Sequence, residues 1–202
     1  NQPDILYIEM DEIHANLQHG GNKICPCAIV HEGHKETFTK RKELKNPKHF
    51  ASAKLSYEQL WEVIYDYVDK KYDISKFDAI FVSGDGAKGI KNFTNCFPEA
   101  IYAYDTFHYR KELRYLFKND NISISLADNY LRKDMINEFY VLIDKQTELY
   151  PKSEKYITET AIKLINNIEG IKNQKHELYK CPCSVEGQVS NKYARYIKSS
   201  PF

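Results

Sequence analysis

Residues 77–87 constrain the fold of this 202-residue chain most strongly, because an apolar run ends there at an acid between two glycines. A short apolar run with β-branched and aromatic members, bounded by turn residues, is typical of a strand covered on both faces. Glycines let the backbone turn sharply and let other groups approach closely. The pattern predicts a buried strand that ends at Asp85. The Asp85 carboxylate has two possible roles: a functional one, as a metal ligand or acid–base group, and a structural one, as the N-cap of a following helix.

The length and charge of the chain limit the classes of protein to which it can belong. The chain is long enough to bury a core as one large domain or as a domain with an insertion. It has neither an apolar run of the roughly 18 residues that a membrane helix needs nor a signal-peptide pattern, so we expect a cytoplasmic protein without a membrane partner. The net charge of +1 does not by itself indicate a nucleic-acid binder. The basic stretch over residues 35–48 suits either phosphate contacts or a solvated loop.

The first part of the sequence predicts three antiparallel strands joined by short connections. These strands are expected over residues 4–11, 24–32 and 35–44. Alternation along the first strand places Glu9 and Asp11 on one face and the intervening apolar residues on the other. Asp11 is therefore expected at the end of the first strand, beside the start of the second.

The later elements predict an α/β sheet flanked by helices. Residues 55–71 form the clearest helix, because Ser56 and Gln59 make a capping box ahead of an apolar stripe. A helix that leads directly into the strand of Asp85 implies a crossover, so the fourth strand is expected to be parallel to a neighbour. A short helix and a fifth strand over residues 100–104 follow. Further helices are predicted over residues 109–117, 126–149, 152–168 and 184–197, with breaks at Pro151 and Gly170.

Three acids on separate predicted elements are candidates for a metal site: Asp11, Asp85 and Glu186. Carboxylates that meet at one edge of a sheet form a hard oxygen site suited to Mg²⁺ or Mn²⁺. Two such ions about 4 Å apart activate a water or a 3′-hydroxyl in phosphodiester chemistry. Two alternatives stay open: a chance selection from 28 acidic residues, and glycoside hydrolysis by a pair of carboxylates.

The cysteines suggest a second kind of site. Four of the five cysteines form two identical Cys-Pro-Cys triplets, with the thiols at Cys25, Cys27, Cys181 and Cys183. Four thiolates in two pairs can bind a structural Zn²⁺ tetrahedrally. The one-residue spacer is shorter than that of most zinc sites, and buried free thiols are the alternative interpretation.

Four blocks of sequence carry a resemblance to a known family. They are Ile-Glu-Met-Asp-Glu-Ile-His over residues 8–14, Gly-Asp-Gly-Ala over 84–87, Asp-Thr-Phe-His over 105–108, and Cys-Ser-Val-Glu-Gly-Gln-Val-Ser over 183–190. In this order they resemble the ISLre-type insertion-sequence transposases, bacterial relatives of the Mutator-like group that have a ribonuclease H-like catalytic domain with an Asp-Asp-Glu triad. The resemblance extends from about residue 7 to residue 200.

The resemblance implies a fold, a domain organisation and an activity. The fold is an α/β ribonuclease H-like core with a mixed five-stranded sheet, whose first three strands are antiparallel. Its first part covers residues 1–118, an all-helical insertion covers 119–177, and the final helix with the catalytic glutamate covers 178–202. The activity is cleavage of transposon-end DNA and strand transfer to target DNA, with two Mg²⁺ or Mn²⁺ ions, in a homo-oligomer associated with the bacterial nucleoid.

Carried over residue by residue, the catalytic and metal-binding triad falls on Asp11, Asp85 and Glu186. Auxiliary positions are Asp105 with His108, which orient a phosphate or the scissile strand, and Glu12 with His14 beside the first acid. For His108 the alternative is a hydrogen-bonded histidine at the edge of the core, and for Glu12 and His14 it is simple surface exposure.

The sequence also departs from the pattern of this family. Gln188 stands where a histidine is expected, and the last residues lack an arginine between serine and proline. The chain begins with Asn1, so we expect it to be a piece of a longer protein. The N-terminal region of that protein is expected to recognise the DNA ends of the insertion sequence. An inactive or domesticated domain that binds DNA or a protein partner is therefore the alternative to an active transposase.

Overall fold

The computed structural model of the chain describes residues 2–16, 22–35, 43–97 and 100–181. The described residues form two compact units, of which the first contains residues 2–102 and 177–181 and the second contains residues 103–176. Among these residues, no helix has both the length and the apolar character required to cross a membrane.

The first unit is built on a mixed five-stranded sheet flanked by helices. The strands of the sheet are β1 (Ile5–Asn16), β2 (Asn22–His31), β3 (Lys48–Ala51), β4 (Ala79–Gly84) and β5 (Ala100–Tyr104), and the last two residues of β5 are the first two of the second unit. As predicted, β1 pairs antiparallel with β2 and β4 is parallel to its neighbour β1; β3, which was not predicted, pairs antiparallel with β2. The order across the sheet is β3-β2-β1-β4-β5, which differs from the order along the chain and places β1 at the centre.

One detail of the predicted strands is wrong, and another stays largely a prediction. Most of the third predicted strand, over residues 35–44, lies outside the described residues; at its ends His34 and Leu44 form an isolated antiparallel bridge, and the next described strand is β3 at Lys48–Ala51. The first strand does not end at Asp11, because β1 continues to Asn16. Beyond Asp11 this strand is a hairpin arm paired with β2, which does not require the buried apolar pattern that marks the centre of a sheet.

One face of the sheet is covered by helix α1 (Tyr57–Lys71). The predicted capping box is present, since the Ser56 hydroxyl accepts from the Gln59 backbone N–H and the Gln59 side chain accepts from the Ser56 N–H. The helix and the sheet share one apolar core, which includes Leu6, Ile8, Met10, Val30, Leu60, Trp61, Ile64, Val68, Ile80 and Val82. Because Ile8 and Met10 point into this core, alternation turns Glu9 and Asp11 toward the opposite face.

The second unit is helical. It contains α3 (Thr106–Leu116), α4 (Asn121–Arg132), α5 (Ile136–Leu149), α6 (Glu154–Asn166) and α7 (Ile168–Asn173), while the six-residue α2 (Lys88–Phe93) belongs to the first unit. The single helix predicted over residues 126–149 is wrong, because the chain breaks between α4 and α5 at Asp134, whose φ is +57°. Gly170 does not end a helix either, since it lies inside α7. The helix predicted over residues 184–197 lies outside the described residues.

Candidate functional site

The parallel pairing of β1 and β4 gives Asp11 and Asp85 equivalent positions at the end of that pairing. The register runs from Ile5 opposite Ala79 to Glu9 opposite Ser83, so that Asp11 and Asp85 each follow two residues later. Neighbouring strands of a sheet are about 4.8 Å apart. Asp85 is the first residue after β4, so the chain leaves the strand two positions beyond the last residue that pairs with β1, and Asp11 is two positions beyond the same pair on β1.

The glycines on either side of Asp85 hold this strand end close to β1. A Cβ atom on Gly84 would lie 2.9 Å from the backbone oxygen of Met10, a distance at which the strands could not keep their positions. Gly86 has a φ of +85°, a conformation that disfavours L side chains. Both glycines are therefore required by the backbone, as the sequence predicts.

The Asp85 carboxylate is not the N-cap of the following helix. Its Oδ1 accepts a hydrogen bond from the Ala87 backbone N–H at 3.0 Å, which closes a local turn. The N-cap of α2 is Ala87, and it makes no side-chain capping bond. The N-cap interpretation is therefore wrong, and Asp85 is partly exposed at the end of the strand.

Asp11 and Glu12 add negative charge at this edge of the sheet. Asp11 is 7% exposed, and its Oδ1 accepts from the Glu12 backbone N–H at 2.8 Å. The Tyr57 hydroxyl donates to the Glu12 carboxylate. Burial raises the pKa of Tyr57, and the hydrogen bond to Glu12 and the negative charges of Glu12 and Asp85 raise it further. A cation would be stabilised in this environment.

The described residues contain two members of the predicted triad. Glu186 lies outside the described residues, as does the side chain of His14. Asp11, Glu12 and Asp85 do not by themselves form a group in which all ligand atoms lie within 4.8 Å of one another. The register thus aligns Asp11 with Asp85, and the contribution of Glu186 stays a prediction.

Asp105 and His108 form a local pair in the helical unit. Asp105 is the N-cap of α3, and its carboxylate accepts from the backbone N–H groups of Phe107 and His108. The same carboxylate lies 2.6 Å from His108 Nδ1. The pair therefore fixes the start of α3, and its predicted role toward a phosphate stays a prediction.

A second cluster, which we call the Glu–His–Cys cluster, consists of Glu9, His31 and Cys181. The ligand atoms of these three buried residues all lie within 4.8 Å of one another, and this is the one such group in the described part of the chain. Glu9 Oε1 and His31 Nε2 are 3.1 Å apart. Sequence reasoning missed this cluster. The available signal was an acid on a buried strand face together with a histidine at the end of the neighbouring strand.

The predicted zinc site of four cysteines is only partly described. Cys25 and Cys27 are buried in β2, and the Cys27 thiol donates to the backbone oxygen of Asp11 at 3.2 Å. Burial raises the pKa of Cys27, and the negative charge of Asp11 raises it further, so the thiol is the stable form. Neither residue joins Cys181 in a three-ligand group. Cys183 lies outside the described residues.

The fold and the acids at the edge of the sheet define a mixed α/β protein with a candidate cation site. The model of the uncharacterised protein family UPF0236 matches residues 2–202, and the chain belongs to this family. A UPF0236 protein of Caldanaerobacter subterraneus subsp. tengcongensis is 28% identical over 203 residues, which cover 98% of this chain and 42% of the relative. Another from the same organism is 28% identical over 202 residues, which cover 97% of this chain and 43% of the relative. The chain thus spans about two fifths of the length of these curated relatives.

Proposed function

We propose that this chain is the catalytic part of a bacterial insertion-sequence transposase of the ISLre type, which cleaves and joins DNA with divalent metal ions. The observation that carries the proposal is the parallel register of β1 and β4, whose last pair, Glu9 opposite Ser83, precedes Asp11 and Asp85 by two residues each. The two carboxylates come from segments far apart in sequence, and a close approach of the two strands holds them in register. An acid placed in this way, at a strand end that Gly84 lets approach β1 closely, serves a ligand better than it serves folding.

The sheet also supports a ribonuclease H-like core. Three antiparallel strands are followed by a helical crossover and a strand parallel to β1, so the central strand of a mixed sheet carries the first acid. The compact helical unit over residues 103–176 supports a helical insertion, for which the sequence predicts residues 119–177. In this proposal the insertion separates Asp85 from Glu186 along the chain.

The residues at the edge of the sheet fit Mg²⁺ or Mn²⁺. Asp11 and Asp85 offer carboxylate oxygens, which these ions prefer, and the nearby Glu12 adds negative charge. Bound there with Glu186, such ions supply Lewis acidity toward a phosphodiester and its attacking oxygen. The chain's own side chains would hold the ions: Asp11 and Asp85 supply ligands from the sheet, and the Tyr57 hydroxyl donates to the Glu12 carboxylate and fixes its position.

The names of the relatives provide support from outside the structure. One UPF0236 protein of Caldanaerobacter carries four locus numbers in its name, and another carries eleven. Many paralogues in one genome are what the copying of an insertion sequence produces. In the proposal the partners are therefore transposon-end and target DNA, the active form is a homo-oligomer assembled on DNA, and the protein acts at the nucleoid.

Nicking of a supercoiled plasmid tests the proposal. The full-length protein that contains this chain is incubated with the plasmid in Mg²⁺ or Mn²⁺, and the rate at which relaxed and linear forms appear is measured. Asp85→Asn keeps the size and the hydrogen-bond acceptor of the side chain but removes its charge. We expect it to lower the rate by about 10³-fold, which corresponds to about 4 kcal/mol of transition-state stabilisation.

The matched control is Asp66→Asn, which removes an exposed carboxylate on α1 that pairs with Lys70. Its nicking rate should equal that of the wild type. Equal rates for Asp85→Asn and the wild type would contradict the proposal. Metal-independent DNA binding without nicking in any variant would instead favour a transposase-derived domain that binds DNA or a partner without catalysis.

A further inference from the structure

We propose that the Glu–His–Cys cluster is a structural Zn²⁺ site, in which Glu9, His31 and Cys181 are ligands and His34 completes the coordination. The site is distinct from the acids at Asp11 and Asp85. It does not rest on the proposed function, because it follows from the contacts of these four side chains alone.

The spacing of the three ligand atoms fits a tetrahedral ion. Zinc binds sulfur at about 2.3 Å and nitrogen or oxygen at about 2.0–2.2 Å, so that neighbouring ligand atoms lie roughly 3.3–3.7 Å apart. Glu9 Oε1 and His31 Nε2 are 3.1 Å apart, and all three ligand atoms lie within 4.8 Å of one another. Movements of about an ångström by side chains bring them to this geometry.

The surroundings of His31 suit a metal ligand. Its Nε2 faces Glu9, while its Nδ1 lies 3.1 Å from the Gly33 backbone N–H and 3.3 Å from the Gly33 carbonyl oxygen. Without an ion, Nδ1 accepts from the Gly33 N–H and Nε2–H donates to Glu9. With zinc on Nε2 the ring proton is on Nδ1, so the Gly33 N–H has to turn away from this nitrogen and Nδ1–H donates to the Gly33 oxygen, the kind of partner that metal-bound histidines commonly have.

Cys181 is held against this face of the sheet by residues just before it. The Tyr7 ring stacks on His31 with centroids 5.2 Å apart, and the Tyr7 hydroxyl donates to the Leu178 oxygen and accepts from the Lys180 N–H. The Tyr179 ring packs on Phe81 at 4.9 Å. The segment that carries Cys181 is therefore docked on β1 and β4 through its backbone and its aromatic ring.

His34 gives the site a fourth ligand and an entrance. Both nitrogens of the His34 ring lie 3.4 Å from Cys181 Sγ, and the ring is partly exposed. His34 and Cys181 line a cleft of about 390 Å³ that also includes Tyr7 and Lys180. His34 is not one of the three residues whose ligand atoms all lie within 4.8 Å of one another, so its ring must move toward Glu9 and His31 to bind the ion, and the cleft is the path by which the ion enters.

The types of ligand select zinc among the common ions. A thiolate and imidazoles bind Zn²⁺ well, whereas Mg²⁺ and Ca²⁺ require oxygen ligands. Four protein ligands close the coordination sphere, which is the arrangement of structural zinc sites. The ion would connect β1 and β2 with the segment that leads toward Glu186, and this last consequence does rest on the proposed function.

Zinc binding to the full-length protein tests the inference without DNA or nicking. The protein is stripped with a chelator, reloaded with Zn²⁺ and analysed for metal content, and Co²⁺ is used in parallel as a spectroscopic probe. We expect about one ion per chain with a thiolate-to-Co²⁺ charge-transfer band. Cys181→Ser should abolish the band and weaken zinc binding at least about tenfold, and His34→Ala should weaken zinc binding by a similar factor.

Two controls use the other cysteines. Cys96→Ser alters a partly buried thiol that lies outside the cluster and should leave zinc binding unchanged. The double variant Cys25→Ser/Cys27→Ser should also retain zinc, which separates this site from the four-cysteine alternative. Circular dichroism of each variant confirms that it is folded. Absence of zinc from the reloaded wild type, or loss of zinc in the double variant with retention in His34→Ala, would overturn the inference.

Discussion

Glu9 and Asp11 lie two positions apart on the same face of β1, yet their surroundings differ. Glu9 is opposite Ser83 of β4 and 3.1 Å from His31, and it is 1% exposed. Asp11 lies just past the last β1–β4 pair and is also buried, at 7% exposed, but its carboxylate accepts from the Glu12 backbone N–H. The comparison teaches that two acids on one strand face, both buried, differ in their partners: Glu9 faces a histidine, whereas Asp11 lies where the pairing with β4 has ended and Glu12 adds a further negative charge.

The two acids should therefore contribute differently to stability. A buried ion pair or charge-assisted hydrogen bond is costly to break, because the remaining charge keeps its desolvation penalty. An acid grouped with other acids repels them, so neutralising it costs little or even stabilises the fold, a common feature of sites shaped for function. The predictions below test this difference.

The largest effect on the free energy of unfolding is expected for the loss of the partner of Glu9. Replacing its partner by His31→Leu removes the imidazole that lies beside Glu9 and the ring that stacks on Tyr7. We expect the free energy of unfolding to fall by about 3 kcal/mol at pH 7. Urea denaturation in the presence of a chelator measures the effect without a contribution from bound zinc.

The matched comparison is Asp11→Asn, measured in the same way. Asparagine keeps an oxygen that accepts from the Glu12 N–H and removes one negative charge from the edge of the sheet. The free energy of unfolding should change by less than about 1 kcal/mol. A loss for Asp11→Asn as large as that for His31→Leu would show that both acids are structural and would remove the distinction between the two regions.

A smaller effect is expected for the close approach that aligns Asp85 with Asp11. In Gly84→Ala the added Cβ would meet the Met10 backbone oxygen at 2.9 Å, so β4 must shift and the unfolding free energy should fall by about 2 kcal/mol. Gly89→Ala is the control, because its Cβ meets the Tyr57 ring only at 3.4 Å and alanine favours α2. Thermal unfolding of both variants measures the difference, and similar melting temperatures would refute a tight approach at Gly84.

The smallest effect on the free energy of unfolding is expected for the hydroxyl of Tyr57, which donates to Glu12. Tyr57→Phe removes the hydrogen bond to Glu12 while the ring remains packed near Trp61. The loss should be about 1 kcal/mol at pH 7. Tyr65→Phe, on the same helix, is the control and should change stability less. If both variants are equally stable, the Glu12 carboxylate gains nothing from Tyr57.

The sequence predicted the parts of the fold that depend on local patterns. The apolar run before Asp85, the capping box at Ser56 and the fifth strand were located correctly because residues close in sequence decide them. It also predicted that Glu9 and Asp11 share a face, since alternation is a local property of a strand. The glycines around Asp85 were interpreted correctly for the same reason.

The remaining features depend on contacts between distant segments. The Glu–His–Cys cluster requires the register of β1 against β2 and the docking of Tyr179, neither of which the local pattern of any one segment reveals. The strand β3 was not predicted because a short edge strand has little apolar pattern. The break at Asp134 was missed because a positive φ at a non-glycine residue has no strong sequence signal.

A double-mutant cycle on Mn²⁺ binding tests most directly whether Asp11 and Asp85 share one ion. Calorimetric titration of the full-length protein compares the wild type with Asp11→Asn, with Asp85→Asn and with the double variant. If the two carboxylates hold the same ion, each single variant should weaken Mn²⁺ binding by at least about tenfold. The double variant should then bind little more weakly than either single variant, because one substitution already removes the joint coordination of the ion. Strictly additive losses, or Mn²⁺ binding that no variant changes, would contradict the account.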